Sequence, residues 1–151
     1  MADGEELVTI LLVEDNLDDI TITKKALKEA KLVNRLHVVR DGQEALDFLQ
    51  HQGQYQDSAT SPKPGLILLD INLPKLNGIE VLAYIKQDPG LKRIPVVMLT
   101  MSKREEDMVK SYDKGCNSFI QKPVEFERFV ELVKEIGLYW GLLNLIPPRD
   151  S

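Results

Sequence analysis

The stretch that decides the fold reads Leu66-Ile67-Leu68-Leu69-Asp70-Ile71-Asn72-Leu73-Pro74. Four consecutive aliphatic residues after a Pro-Gly turn signal are typical of a strand buried on both faces, as in a parallel sheet. The strand ends at Asp70. Ligands of open α/β sheets bind at the carboxyl ends of the strands, so Asp70 lies where a functional carboxylate is expected. The alternative is that Asp70 only hydrogen-bonds its own turn.

Four further apolar runs resemble buried strands, and segments with helical spacing of apolar residues follow them. The predicted strands cover residues 7–13, 36–39, 66–70, 94–99 and 117–120. The apolar sides of the predicted helices comprise Leu17, Ile20, Leu27 and Ala30; Ala45, Leu46 and Leu49; Val81, Leu82 and Ile85; Met108, Val109 and Tyr112; and Phe126, Phe129, Val130, Val133 and Gly137. This alternation predicts an α/β fold, a doubly wound five-stranded parallel sheet with right-handed crossovers.

Local signals mark the ends of these elements. Asn16 or Asp18 is the expected N-cap of the first helix, and Asp41-Gly42 is expected to form a turn. Asn77-Gly78 is a hairpin signal, but the helical spacing that follows favours the start of a helix. Residues 53–64 are polar and aperiodic, which predicts a long surface loop.

Composition limits the function classes. The 151 residues suit one domain, and a hydrophobic share of 43% with a charged share of 28% is that of an ordinary globular protein. The net charge of −5 disfavours nucleic acid as a partner. The single cysteine, Cys116, suits a reducing compartment, and we expect a cytoplasmic protein with neither a signal peptide nor a membrane span.

Polar side chains follow four of the predicted strands. Glu14 and Asp15 follow the first strand, and Asp70, Thr100 and Lys122 follow three others. Each has an ordinary structural explanation alone, but together they are expected to meet at one edge of the sheet. Three converging carboxylates need a hard cation such as Mg²⁺, which takes oxygen ligands.

The chemistry that fits such a pocket is phosphoryl transfer. A carboxylate such as Asp70 can act as a nucleophile and form an aspartyl phosphate. The cation and the Lys122 ammonium would then neutralise charge on the transferred group, which is most of what this reaction requires.

In its motifs and their order, the sequence strongly resembles the receiver domain of two-component response regulators. The matching residues are Glu14-Asp15, Asp70, Asn72, Pro74, Asn77-Gly78, Thr100 and Lys122-Pro123. The resemblance implies a flavodoxin-like receiver fold and a phosphoryl group transferred to Asp70 from a histidine kinase. It also implies that Glu14, Asp15, Asp70 and the backbone carbonyl of Asn72 hold Mg²⁺, with Mn²⁺ as a substitute.

The same resemblance implies a conformational switch. Thr100 and Lys122 would contact the phosphoryl group, and movement of Thr100 would let Phe119 turn inward. The bond before Pro123 is expected to be cis, which proline makes accessible. Met101 stands where the family usually has a small residue, so we expect it to cover the pocket and slow small phosphodonors.

The end of the chain is unusually apolar. We expect a receiver domain over residues 7–137, after an N-terminal tail of residues 1–6, and a C-terminal extension over residues 138–151. The predicted homodimer face consists of Leu132, Ile136, Tyr139, Trp140 and Leu143. The alternative is that the extension folds back on its own domain.

The long loop and the Tyr-Trp extension resemble the small response regulators of bacterial, especially cyanobacterial, phytochromes. This implies a kinase driven by red and far-red light. The expected function is thus that of a single-domain response regulator, not an enzyme, with slow self-dephosphorylation. Two alternatives stay open: a Mg²⁺-dependent phosphatase of the haloacid dehalogenase type, disfavoured because its second aspartate is replaced by Asn72, and a receiver-like module that is never phosphorylated.

Overall fold

A five-stranded parallel sheet with helices on both faces organises the computed structural model, which describes residues 8–57, 61–112 and 118–137. The strands are β1 (Ile10–Val13), β2 (Leu36–Val39), β3 (Leu66–Asp70), β4 (Val96–Thr100) and β5 (Phe119–Gln121). The helices are α1 (Leu17–Glu29), α2 (Gly42–Gln50), α3 (Gly78–Gln87), α4 (Lys103–Tyr112) and α5 (Phe126–Glu135). The predicted fold class is confirmed.

The strand order is β2-β1-β3-β4-β5, and every pair is parallel. The three central strands, β1, β3 and β4, are buried along their whole length, as their aliphatic composition predicts. In the register of the sheet Val13 pairs with Leu69, and Asp70 pairs with Leu99. The residues that follow these strands therefore meet at one edge.

Alternate strand residues divide the interior into two apolar layers. One layer packs α2, α3 and α4 against the sheet, with Phe48, Leu82 and Val109 as contributors from the three helices. The other layer packs α1 and α5 against the opposite face, with Leu27 and Phe129 at its centre. Burial on both faces is what makes the central strands continuous apolar runs rather than alternating ones.

Side-chain caps determine where the helices begin. Asn16 caps α1 by accepting a hydrogen bond from the Asp19 N–H at 2.9 Å. Asn77 and Glu80 form a reciprocal capping box at the start of α3, which confirms the interpretation of Asn77-Gly78 as a helix start. Asp41, expected in a turn, is the N-cap of α2.

Two local predictions were wrong, and the predicted surface loop has more local structure than expected. Leu17 is 63% exposed, because it occupies the first position of α1, beyond the layer that the helix covers. In α4 only Val109 is buried, while Met108 and Tyr112 face solvent. The polar stretch after α2 begins with a short 3-10 turn, and its Tyr55 packs on Phe48 at a ring separation of 5.1 Å.

The predicted dimer face needs a correction. Leu132 is only 3% exposed and lies in the layer between α5 and the sheet, and Ile136 packs against the same layer. Leu132 therefore offers no surface to a second chain. Tyr139, Trp140 and Leu143 lie outside the described residues, as do Cys116 and the tail of residues 1–6. Among the helices of the described part, none has the length and apolarity needed to cross a membrane.

Candidate functional site

The Lys122 ammonium is the centre of a charged cluster at the carboxyl edge of the sheet. Its Nζ lies 2.9 Å from Glu14 Oε1, 2.9 Å from Asp70 Oδ1 and 3.1 Å from Asp19 Oδ2. Glu14 and Asp70 are buried, and the Lys122 side chain is only 8% exposed. The structure thus brings together an acid from β1, an acid from β3 and the base that follows β5, as the strand-end positions predict.

Backbone contacts hold these strand ends in register. The Glu14 N–H donates to the Val39 carbonyl at 3.0 Å, and the Lys122 N–H donates to the Thr100 carbonyl at 2.7 Å. The first residue of α3 lies against the end of β3, because a Cβ on Gly78 would stand 2.2 Å from the Asp70 carbonyl oxygen. Only glycine allows this approach of the α3 backbone to the residue that carries the central carboxylate.

Burial and charge shift two pKa values in the cluster. Burial raises the pKa of Glu14 to about 6, aided by the negative charge of Asp70 and opposed by Lys122. Burial disfavours the charged form of Lys122, but its close ion pairs with the Glu14 and Asp70 carboxylates raise its pKa above the usual value. Lys122 therefore stays protonated and offers a permanent positive charge beside Asp70.

Three buried oxygens in the described part of the chain lack a directional hydrogen bond. They are Glu14 Oε1, Asp70 Oδ1 and Thr100 Oγ1. The first two have Lys122 at ionic distance, and of its three carboxylate contacts only the one with Asp19 also has hydrogen-bond geometry. Since buried polar atoms in native proteins are nearly always satisfied, the Thr100 hydroxyl, which has neither a hydrogen bond nor an ionic partner, indicates a site for a polar ligand. The Glu14 and Asp70 carboxylates at the same edge are oxygen donors of the kind that a hard divalent cation takes.

Asp15 is not brought into this cluster. Its side chain is half exposed and lies 3.9 Å from Arg40 Nη2, which also donates to the Asp15 backbone carbonyl at 3.0 Å. Within residues 8–57, 61–112 and 118–137, no three His, Cys, Asp or Glu side chains are grouped as metal ligands. The physical reason is that Lys122 occupies the position between Glu14 and Asp70 and that Arg40 attracts Asp15.

Two charged residues of the site were missed at the sequence level. Asp19 contacts Lys122 from the first turns of α1, and its only sequence signal was its place three residues after the Asn16 cap. Arg40 comes directly after β2. It could therefore have been identified from the sequence as another strand-end residue, like Asp15 after β1.

The two predicted switch residues lie on neighbouring strands. Thr100 is buried at the end of β4, and Phe119 is 7% exposed, packed in the layer beneath α4. Lys110 of α4 lies over the Phe119 ring, 5.3 Å from its centroid. The Lys122–Pro123 bond is cis, as the resemblance implied.

The two loops beside the cluster present Asn72 and Met101. Asn72 is exposed, and its Nδ2 donates to Glu105 Oε2 at 3.1 Å. Met101 is 57% exposed, and its backbone N–H donates to Glu105 Oε1 at 2.6 Å. Glu105 was not singled out by the sequence, since an acidic residue in the first turn of a helix is common.

The chain is similar to known proteins of one family. Residues 10–134 match the family model of the response regulator receiver domain. Response regulator Rcp1 of Synechocystis sp. is 46% identical over 131 residues, which are 87% of each chain. A phosphatase of the haloacid dehalogenase type is not favoured by these matches.

Solved structures agree. The bacteriophytochrome response regulator RtBRR is 47% identical, with a TM-score of 0.82 over 96% of this chain and 86% of its own. The Mn²⁺-bound form of Rcp1 is 44% identical, with a TM-score of 0.70 over 93% and 97%. The phosphorylated cyanobacterial phytochrome response regulator RcpA is 45% identical, with a TM-score of 0.70 over 89% and 94%. The chain belongs to the response regulator receiver domain family, and its relatives include the response regulators of phytochromes.

Proposed function

We propose that this response regulator accepts a phosphoryl group on Asp70 from a histidine kinase of the phytochrome class. The observation that carries the proposal is the buried Asp70 carboxylate, which has Lys122 Nζ at 2.9 Å and the unpartnered Thr100 hydroxyl at the same sheet edge. The phosphorylated state of RcpA and the bacteriophytochrome relationship of RtBRR support the donor class.

The reaction is a displacement at phosphorus. An Asp70 carboxylate oxygen attacks the phosphohistidine phosphorus, the O–P bond forms, and the P–N bond breaks to return the electron pair to the imidazole. Lys122 neutralises negative charge on the phosphoryl oxygens without giving up its proton. The backbone contact between Gly78 and the end of β3 holds the nucleophile in place.

A divalent cation fits the oxygen donors of the site. Glu14, Asp15, Asp70 and the backbone carbonyl of Asn72 would hold Mg²⁺, or Mn²⁺ in its place, and the bound ion adds positive charge beside the transferring group. Such binding requires Asp15 to leave Arg40 and Lys122 to shift from Glu14. The Mn²⁺-bound form of Rcp1 supports this assignment.

The signal follows from new contacts with the phosphoryl oxygens. Moving a two-state equilibrium from 1:99 to 99:1 takes about 5.5 kcal/mol. Hydrogen bonds to charged groups contribute roughly 1.5–3 kcal/mol each, so Thr100 and Lys122 together could supply most of it. Phe119 is already buried in this structure, so the inward turn implied by the resemblance would bring no further burial of its ring.

Three finer statements belong to the same proposal. The phosphoaspartate hydrolyses slowly without a second protein, the protein acts in the cytoplasm, and two copies pair through the apolar C-terminal extension. The acidic composition with a single cysteine supports the cytoplasmic location. The apolar run 138–146 supports the pairing of two copies.

The experiment is a timed phosphotransfer assay from an autophosphorylated bacteriophytochrome kinase in excess Mg²⁺. Label should pass from the kinase to the wild-type chain and to Asp107→Asn, a control that removes an exposed carboxylate of α4. Asp70→Asn should accept none. Transfer to Asp70→Asn at the wild-type rate would place the phosphoryl group elsewhere, and no transfer to the wild type from any phytochrome kinase would favour the module that is never phosphorylated.

A further inference from the structure

Glu105 of α4 ties together the two loops that leave β3 and β4. Its Oε1 accepts a hydrogen bond from the Met101 backbone N–H at 2.6 Å, and its Oε2 accepts one from Asn72 Nδ2 at 3.1 Å. The Glu105 backbone N–H in turn donates to Ser102 Oγ at 3.3 Å. The two oxygens of one carboxylate thus accept hydrogen bonds from two loops that are far apart in sequence.

The two residues that Glu105 binds lie in the loops next to the strand end that carries the Asp70 carboxylate. Asn72 comes two residues after Asp70, and Met101 comes directly after Thr100. Because Asp70 pairs with Leu99 in the sheet, the two loops leave it side by side. Asp70 itself is buried, so access to it depends on the residues around this strand end, which include these two loops.

The helix that carries Glu105 is weakly attached to the rest of the molecule. Val109 is its one buried residue among those described, and Met108 and Tyr112 are exposed. Among the described residues, the other polar links on this side include the hydrogen bond from Gln121 Nε2 to the Met101 carbonyl at 3.3 Å and the contact of Lys110 with the Phe119 ring. The two hydrogen bonds of Glu105 therefore contribute a large part of what holds the first turn of α4 against the sheet.

We propose that Glu105 is a positioning residue that latches the two loops together before phosphorylation and is released by it. The inference rests on the proposed function. In the latched state the loops restrict access to Asp70. An aspartyl phosphate carries a charge of about −1.5 to −2 in place of the single negative charge of the Asp70 carboxylate, and this extra charge repels the Glu105 carboxylate while the phosphoryl oxygens compete for nearby donors. Release of Glu105 then frees the first turn of α4 and changes the surface around it.

The kinetic test compares Glu105→Gln with Glu106→Gln. Both variants remove one negative charge from the first turn of α4, but the Glu106 carboxylate pairs with Lys103 and Lys110 of the same helix, and only its backbone N–H, which the substitution keeps, bonds to the loop at Ser102. The probe is acetyl phosphate with saturating Mg²⁺, and labelling rates are measured over a range of donor concentrations. A neutral amide has one acceptor oxygen instead of two, so Glu105→Gln cannot accept from both loops at full strength.

Because the latch restricts access to Asp70, Glu105→Gln should reach its half-maximal labelling rate at a roughly threefold to tenfold lower acetyl phosphate concentration than wild type, since charged hydrogen bonds that hold the loops are lost. Glu106→Gln should keep the wild-type half-maximal concentration. A general charge effect would instead change this concentration equally in both variants. Equal half-maximal concentrations in Glu105→Gln and Glu106→Gln would overturn the latch.

A second measurement does not depend on phosphorylation chemistry. Hydrogen exchange of unphosphorylated protein should be faster at residues 101–108 in Glu105→Gln than in wild type or Glu106→Gln. Phosphorylated wild type should show the same increase. If the wild type never takes up label, the proposed function fails while the exchange result still tests the latch; if exchange is the same in all three unphosphorylated proteins, the latch is wrong whatever the labelling shows.

Discussion

At the scale of a single residue, the buried Glu14 carboxylate lies in an environment that is unfavourable for its charged form. Its carboxylate is 1% exposed and shares Lys122 with Asp70, so one ammonium serves two buried acids. Burial disfavours ionisation of Glu14 and, with the negative charge of Asp70 and against the opposing effect of Lys122, raises its pKa from 4.5 to about 6. A bound divalent cation would favour ionised Glu14, because a cation binds the deprotonated carboxylate.

A pH dependence follows for the cation-free protein. Because the folded state holds the Glu14 proton more tightly than the unfolded state, Glu14 stabilises the fold below about pH 4.5, and this contribution is lost as the pH rises through about 6. The free energy of unfolding of wild type relative to Glu14→Gln should fall by roughly 2 kcal/mol from about pH 4 to about pH 7. Urea unfolding in chelator measures the difference; a constant difference would contradict the account.

How far the sequence predicts individual residues depends on what sets their position. Strand-end residues such as Glu14, Asp70 and Thr100 were found because the parallel sheet aligns its ends. The pairing of Asp15 with Arg40 was not predicted, because it depends on side-chain rotamers that no periodic pattern encodes. Met101 stays a prediction: its exposure fits a cover over the pocket, but its effect on small donors needs kinetics.

At the scale of elements, the contact between α3 and the end of β3 matters most for the site. The Gly78 N–H donates to the Ile71 carbonyl at 2.7 Å, and the capping box of Asn77 and Glu80 fixes the helix start. A side chain at Gly78 would meet backbone atoms, which cannot move aside without shifting Asp70. The start of α3 thus determines where the nucleophile stands.

Gly78→Ala should therefore damage both stability and reactivity. Overpacking against backbone typically costs about 1–3 kcal/mol, and we expect a loss in this range in urea unfolding with slower labelling of Asp70. Gly90→Ala is the matched control, because its Cβ would meet only the Asp88 side chain at 3.3 Å. Equal stability and equal labelling of the two variants would show that the close approach is not required.

Elements with strong patterns were predicted well, and weakly patterned ones were not. The buried face of α5 includes Phe129 and Val133, as predicted, because packing follows a clear apolar stripe. In α4 two of the three predicted core residues, Met108 and Tyr112, are exposed. Three apolar residues in one short helix are too few to predict from the sequence which of them are buried. Asp41 was assigned to a turn because the same residue types favour turns and helix N-caps.

At the scale of the whole molecule, the buried parallel sheet fixes one reactive edge and leaves two helical faces for other tasks. The face with α4 adjoins the latch residue Glu105 and the buried Phe119, so it is suited to report on Asp70. The face with α1 and α5 covers the second apolar layer, and Leu132 lies inside it. The homodimer proposed here has to use the C-terminal extension instead.

Sedimentation velocity tests that homodimer. We expect wild type to sediment as a dimer at micromolar concentration and Leu143→Glu to sediment as a monomer, because a charge would replace an apolar contact. Leu17→Glu changes an exposed leucine of α1 in the same way and should leave the dimer intact. A monomeric wild type, or equal dissociation of both variants, would reject pairing through the extension.

The most direct test of the central claim maps the modified residue. The protein is incubated with a phosphodonor and Mg²⁺, reduced with borohydride to trap acyl phosphate, and sequenced by mass spectrometry. The account predicts modification at Asp70 alone, dependent on Mg²⁺ and strongly reduced in Lys122→Ala. Modification at another residue, or labelling of Asp70 that needs neither the cation nor Lys122, would contradict it.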